Sequence, residues 1–215
     1  YGVSLPFWRS YDKEDPRREF FYYDYTGDAK RDDQSDYGFH YMVPEEGVTV
    51  VPNDTTKYMQ NVATMKYTYD MISDAYYDGR TICIFRLSDV ILCKAEIENN
   101  LNGPAAALPY LNQIRARAGA PEYGKHNRFP APSTKETMND AILKERGYEL
   151  VFEFQRRADL IRFGKYEEVV NAHLKKLGIA QPTNVTSSLR YFPYPLNDAQ
   201  LNPNLAAENP SRLPK

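Results

Sequence analysis

Between residues 142 and 164 the chain reads ILKERGYELVFEFQRRADLIRFG, and four carboxylates, Glu145, Glu149, Glu153 and Asp159, recur along it among arginines. On one helix Glu145, Glu149 and Glu153 follow at steps of four, Glu153 reaches Arg156 and Arg157, and Asp159 reaches Arg162. Three chemistries use such residues: a catalytic pair of acids, a ligand site, or an ion-pair network that pins the helix to its neighbours. Glycosidase acids need room for a sugar between them and usually come from different elements, whereas these share a helix with arginines that neutralise them. Arginine forks satisfy carboxylates in two directions, so the preferred reading is a structural network of Glu145, Glu149, Glu153, Arg156, Asp159 and Arg162, with Arg115 and Arg117 as partners. Leu143, Leu150, Val151, Phe154, Ala158 and Ile161 form the opposite, apolar face, which is expected to enter the core.

Other reactive residues form no recognisable constellation. His40, His126 and His173 are scattered, and Asp24, Asp28, Asp32, Asp33 and Asp36 lack the fixed spacing and Gly of a calcium loop. Cys83 and Cys93 are too few for a disulfide framework or a zinc site and read as two buried thiols. No nucleophile motif or Gly-rich phosphate loop is present, so the chain is read as a non-enzyme with no cofactor and no metal. Of 18 tyrosines, 12 lie in the first 80 residues, which makes that region the candidate binding surface. Trp8 is either a sugar-stacking face or a buried anchor. Tyr37, Phe39 and Tyr41 share one side of an alternating segment, either an aromatic platform or an inward strand face.

The elements that must hold these residues change along the chain. A net charge of −2 argues against nucleic acid or an anionic membrane as partner, and no apolar run is long enough to span a bilayer. The chain is expected to be a soluble, trimmed piece. Residues 1–85 carry turn formers and short strands, with MKYTYD (65–70) and TICIFR (81–86) as extended segments. Residues 86–180 are a helical scaffold. Val90, Cys93, Ile97 and Leu101 predict one helical stripe, Gly103 and Pro104 a tight turn, and Ala107, Leu111, Ile114 and Ala118 the face of a second helix. This hairpin is the unit of a tetratricopeptide-like stack. Ser133 or Thr134 caps a third, long helix that contains the charged stretch and stops at Gly164, and residues 165–178 form another. Residues 181–215 hold too many prolines for regular structure and are expected to form an extended strap. The fold class is therefore mainly α, with a loop-rich aromatic region ahead of it.

Five ordered motifs resemble the SusD/RagB family of outer-membrane nutrient-binding lipoproteins. YDKEDPRREF carries the family's Asp-Pro-Arg as Asp15, Pro16 and Arg17, and FRLSDVILCKAEIENNL is similar to its Arg-Leu-Ala-Asp-Val-Leu-Leu helix. LNQIRARAGAP, ILKERGYELVFEFQRRADLIRFG and FPYPLNDAQLNPNLAAENP resemble three further signatures, together covering Asp15 to Pro210. The chain departs at Phe154, where the family usually has Gly, at Gln155, usually His, and at Arg157 and Ala158, usually aromatic.

The resemblance implies the C-terminal portion of a larger SusD-like domain, with its lipid anchor and most helical repeats in a preceding segment. It implies a lipid-anchored, cell-surface protein of the outer membrane that binds oligosaccharides without catalysis and delivers them to a SusC-like TonB-dependent transporter. The alternative is a helical-repeat module that holds a peptide or protein and has no sugar site of its own.

Overall fold

The structure, a computed structural model, describes residues 2–22, 24–25, 41–42, 61–64, 66, 83–176, 185–186, 192, 194–202 and 204. Two compact units divide the chain by packing, Tyr1–Arg156 and Arg157–Lys215, whereas the sequence segments follow composition. The described residues are mainly helical, with short strands.

In the first unit, strand β1 (Gly2–Ser4) runs into a short helix α1 (Leu5–Arg9), and a 3-10 turn over Pro16–Phe20 leads into β2 (Phe21–Tyr22). The two-residue strands β3 (Asp24–Tyr25) and β4 (Tyr41–Met42) pair with each other. Strand β5 (Asn61–Thr64) lies between β1 and β2, antiparallel to both, with Val3 opposite Val62 and Phe21 opposite Thr64. Side chains of this small sheet and α1 build an aromatic cluster of Val3, Trp8, Tyr11 and Phe21 around Tyr148. Residues 83–86 form no strand, in contrast to the expectation from TICIFR. Ile84 and Phe85 are exposed, and Arg86 is already the extended residue that starts the next helix. Of MKYTYD, only Lys66 lies among the described residues.

Helices α2 (Leu87–Asn102) and α3 (Pro104–Ala118) form the expected hairpin. Gly103 makes the turn with φ 90°, and its N–H closes onto the carbonyls of Glu98 and Asn99. Helix α3 buries Ala107, Leu111 and Ile114 of the stripe its spacing predicts, and Ala118 is half-buried. Helix α2 is rotated from the sequence reading: Val90, Cys93, Ile97 and Leu101 are exposed, and Ser88, Leu92, Ala95 and Asn99 face inward. The reason is a polar tie to the next helix. Asn99 Nδ2 donates to Lys135 O at 2.8 Å and to Asn139 Oδ1 at 2.7 Å, which ties α2 to helix α4 (Lys135–Glu149). Ala95 and Leu92, both fully buried, allow close packing beside it.

Helix α4 starts on Thr134, whose side chain accepts from the Thr137 N–H while Thr137 returns a bond to the Thr134 backbone. It stops at Glu149 instead of continuing to Gly164. Residues 151–154 are turns, with Phe152 and Phe154 at φ 62° and 61°, and α5 (Arg156–Arg162) begins afresh. Tertiary contacts outweigh helical propensity here, because Lys66 and Arg86 take the Glu149 carbonyl and Lys66 the Val151 carbonyl. The continuous apolar face is broken accordingly: Leu143 and Leu150 are buried, but Phe154 and Ala158 are exposed.

Within the second unit, α5 is followed by α6 (Tyr166–Lys176), and Asn171 clips the Val185 backbone through bonds of 2.9 and 2.7 Å. The tail is not wholly irregular, since Leu196–Leu201 forms helix α7 behind Pro195, whose fixed φ suits a helix start.

Phe154 holds a left-handed φ with an 85% exposed side chain, so it bears the strain of a Cβ with little burial in return. Phe154→Gly is expected to keep stability or raise it by up to about 1 kcal/mol, after glycine's extra unfolded-state entropy, and Phe154→Val to lower it by about 1 kcal/mol. Urea unfolding of the two variants beside the parent checks the order.

Candidate functional site

The acids of α4 are buried, and burial of a carboxylate demands a counter-charge. Glu145 and Glu149 face inward one turn apart, and the turn after α4 adds Glu153 beside them. Their partners arrive from four segments. Asp15, the N-cap of the 3-10 turn, accepts from the Arg17 backbone at 3.1 Å, from its Nε at 2.9 Å and from its Nη2 at 2.7 Å. Thus oriented, Arg17 Nη1 reaches Glu145 Oε1 at 2.7 Å and Glu149 Oε2 at 3.0 Å. Arg86, at the start of α2, gives Nε to both oxygens of Glu153 at 2.9 Å, Nη1 to Glu149 Oε1 and Nη2 to the Glu149 carbonyl, both at 2.5 Å. From α3, Arg115 Nη1 donates to Glu145 Oε2 at 2.7 Å and Arg117 Nη2 to Glu149 Oε1 at 2.6 Å. Lys66 completes the set on the Glu149 and Val151 carbonyls and on Glu153 Oε1.

The electrostatics follow the geometry. Burial works against the Glu149 charge, but the Arg86 hydrogen bond and the charges of Arg86, Arg117 and Arg17 outweigh it and hold the carboxyl at about 2. Burial likewise opposes the Arg17 charge, and its Asp15 bond and the Glu145 charge reverse the balance and raise it. Desolvation wins at Lys66, which is lowered despite Glu153. A second pair, Arg146 Nη2 with Asp89 Oδ1 at 2.7 Å, locks α4 to α2.

Arg17, Lys66 and Arg86 escaped the helix-spacing reading because their partners at Glu149 are 63 to 132 residues away, and Asp15 acts through Arg17, two residues on. Their available signals were the Asp-Pro-Arg motif and the Arg that opens the α2 motif. Arg156 Nη1 donates to Leu143 O at 2.7 Å, and it lies so close to Gly147 that a Cβ there would meet Nη1 at 2.9 Å. Asp159 and Arg162 pair with each other at 3.0 Å within α5.

Trp8 is 5% exposed, with Nε1 donating to Arg18 O at 3.2 Å and the Arg18 guanidinium 4.1 Å from the ring centroid. It belongs to the aromatic cluster and offers no open stacking face. Tyr41 lies in β4, and its side chain, like Tyr37 and Phe39, is outside the described residues. Tyr11 and Tyr148 stack at 4.1 Å, Tyr11 Oη donates to Tyr148 O at 3.0 Å, and Tyr148 Oη donates to Ser10 O. Burial pushes the Tyr148 phenol up to about 12, so both tyrosines stay neutral. Cys93 is an exposed thiol and Cys83 is half-buried, in contrast to the buried pair expected.

Cavities flank this frame among the described residues, and two of them border its cations. One, of about 280 Å³, opens over the network between Phe20, Phe21, Lys66, Arg86 and Arg117. The other, of about 380 Å³, lies between Arg18, Lys13, Arg115, Arg128 and Lys144. No group of acids, histidines or cysteines suited to a metal ion occurs among the described residues, and no described helix is long and apolar enough to cross a membrane.

The model of the SusD family matches residues 6–211. The chain belongs to the SusD family. It is similar to SusD-like protein P25 of Formosa agariphila, 39% identical over 56% of this chain and 22% of that protein. It is also similar to the starch-binding protein SusD of Bacteroides thetaiotaomicron, 28% identical over 63% of this chain and 22% of that protein. A crystal structure of a SusD superfamily protein from Bacteroides vulgatus aligns with a TM-score of 0.44 and 29% identity, over 56% of this chain and 25% of that one. The chain thus spans about a fifth of the length of these curated relatives. The SusD-family motifs map onto the frame: Asp15 and Arg17, Arg86, Arg115 and Arg117, and Glu145 and Glu149 each come from a different motif and meet in one network.

The Glu149 carboxyl is depressed on folding, so its contribution is complete above pH about 4.5 and is lost as pH falls towards about 2. Urea unfolding between pH 5 and about 2 is expected to show that loss, and Glu149→Gln to flatten it. At pH 7 Glu149→Ala is expected to cost about 3–5 kcal/mol, because Arg17, Arg86 and Arg117 lose a shared counter-ion.

Proposed function

We propose that this chain serves a non-catalytic glycan-binding protein of the cell surface, lipid-anchored at the outer membrane, that passes oligosaccharides to a SusC-like TonB-dependent transporter. The SusD-family match over residues 6–211 carries this reading, and a similar relative bears the name starch-binding protein. The chemistry of the acids agrees with it. A glycosidase acid needs a raised pKa to protonate the leaving oxygen, whereas Glu149 is held at about 2 by arginines, and Glu145 and Glu153 are buried in ion pairs. The network is a frame, and Tyr37, Phe39 and Tyr41 are the proposed stacking residues, on the strength of their alternation. Binding is weak and multivalent, by ring stacking and hydrogen bonds.

The test is retardation of the full chain in gels containing plant or host polysaccharides, with Phe39→Ala expected to reduce it severalfold and no reducing ends released. Release of reducing ends that stops on replacing one carboxylate would sink the reading.

One observation favours the second reading, a helical-repeat module for a protein partner. The exposed face of α2 carries Leu87, Val90, Ile97 and Leu101 at helical spacing, a stripe suited to the apolar face of another helix. Association with an amphipathic helical peptide that is lost in Ile97→Asp, together with absent glycan retention, would put this reading first.

A further inference from the structure

The cavity of about 380 Å³ beside the 3-10 turn carries cations beyond those the ion network uses. Arg9, Lys13, Arg18, Arg115, Arg128 and Lys144 line it, against Asp12 and Asp15 as its acids. Both acids are already engaged, Asp15 by Arg17 at 2.7 Å and Asp12 by Arg128 at 3.0 Å. Lys13, Arg18 and Lys144 have no carboxylate partner among the described residues.

Two features make this a built site in place of a loose basic surface. Arg115 is 2% exposed, and its Nη2 has no hydrogen-bond partner even though Nη1 and Nε are bound to Glu145 and Pro121. A buried guanidinium N–H without an acceptor is costly, and an incoming oxyanion would supply one. Arg18, in turn, is held over the Trp8 ring at 4.1 Å, which fixes a cation at the cavity with little freedom left to lose. Phe129 adds an aromatic wall, against which the Arg115 guanidinium rests at 4.7 Å. Fixed cations beside an aromatic ring, in a volume that takes about one or two sugar units, suit an acidic sugar.

We propose that this cavity binds the carboxylate or sulfate of an acidic oligosaccharide, with Arg18, Lys144 and Lys13 as its ligands and Arg115 at its base. The inference rests on the glycan-binding reading and narrows it to anionic glycans. Specificity comes from unneutralised charge, so binding weakens steeply with added salt.

The experiment compares polygalacturonate oligomers, starch oligomers and inorganic sulfate by calorimetry, on the full chain and on the variants Lys13→Gln/Lys144→Gln and Arg18→Gln. Neither lysine has a carboxylate partner among the described residues, and Lys144 only lies over the Tyr148 ring at 5.7 Å, so the double variant is expected to melt close to the parent. Polygalacturonate oligomers are expected to bind and to lose about tenfold in each variant. Equal affinity in parent and variants overturns the proposal. Binding of starch oligomers but not polygalacturonate overturns it too, and leaves the glycan reading standing. If neither glycan binds, both fall. Sulfate binding as tight as the oligomer would show a free-anion site and remove the sugar from the proposal.

Discussion

Glu145, Glu149 and Glu153 lie at the centre of the first unit with 1 to 4% of their side chains exposed, and the surrounding structure exists largely to keep that tolerable. Desolvation of three carboxylates in one small volume costs more than any single ion pair returns, so each acid needs more than one cation. That requirement draws together segments that share no sequence neighbourhood: the 3-10 turn through Arg17, the second residue past β5 through Lys66, the start of α2 through Arg86, and the last turn of α3 through Arg115 and Arg117. The pairs are therefore positional devices as much as sources of stability. Loss of one acid strands several cations, while loss of one cation leaves others in place.

The same demand explains why α4 ends where it does. Lys66 and Arg86 bring more donors than the carboxylates can absorb, and the surplus lands on the carbonyls of Glu149 and Val151. A helix continuing past Glu149 would claim those carbonyls for its own N–H groups. The chain instead turns, admits left-handed φ at Phe152 and Phe154, and so swings Glu153 back towards Arg86. The resembled family's Gly at the position of Phe154 fits the same geometry without a Cβ.

Local pattern made α3 legible, because Ala107, Leu111 and Ile114 are apolar, periodic and buried for that reason alone. It failed on α2, where Leu92 is flanked inward by Ser88, Ala95 and Asn99, and the two bonds that Asn99 Nδ2 makes to α4 outrank the burial of an apolar stripe. Helical spacing paired Asp159 with Arg162 correctly inside α5, but the step from Glu149 to Glu153 is not a helical one, because α4 stops at Glu149. Trp8 was ambiguous by type, and the structure gives the reason it is enclosed: Arg18, ten residues on in the chain, covers the ring and returns its carbonyl to the indole N–H. Partners more than 60 residues apart leave no periodic trace, and in their place only short motifs such as Asp15-Pro16-Arg17 pointed to them.

The arrangement has a consequence for how such a frame can carry a ligand. Its acids are inside and its cations reach outward, with Arg17, Lys66, Arg86 and Arg117 exposing 10, 24, 25 and 58% of their side chains. The groups that reach the surface over this carboxylate core are therefore cations, although the chain as a whole carries −2. Net charge describes long-range attraction, but selection at a cavity depends on the groups within a few ångströms that are not already paired. Cations engaged by Glu145, Glu149 and Glu153 are spent on the fold. Those at the neighbouring cavity, Lys13, Arg18 and Lys144, are not, so the same charge type both holds the frame and stands at the proposed anion site.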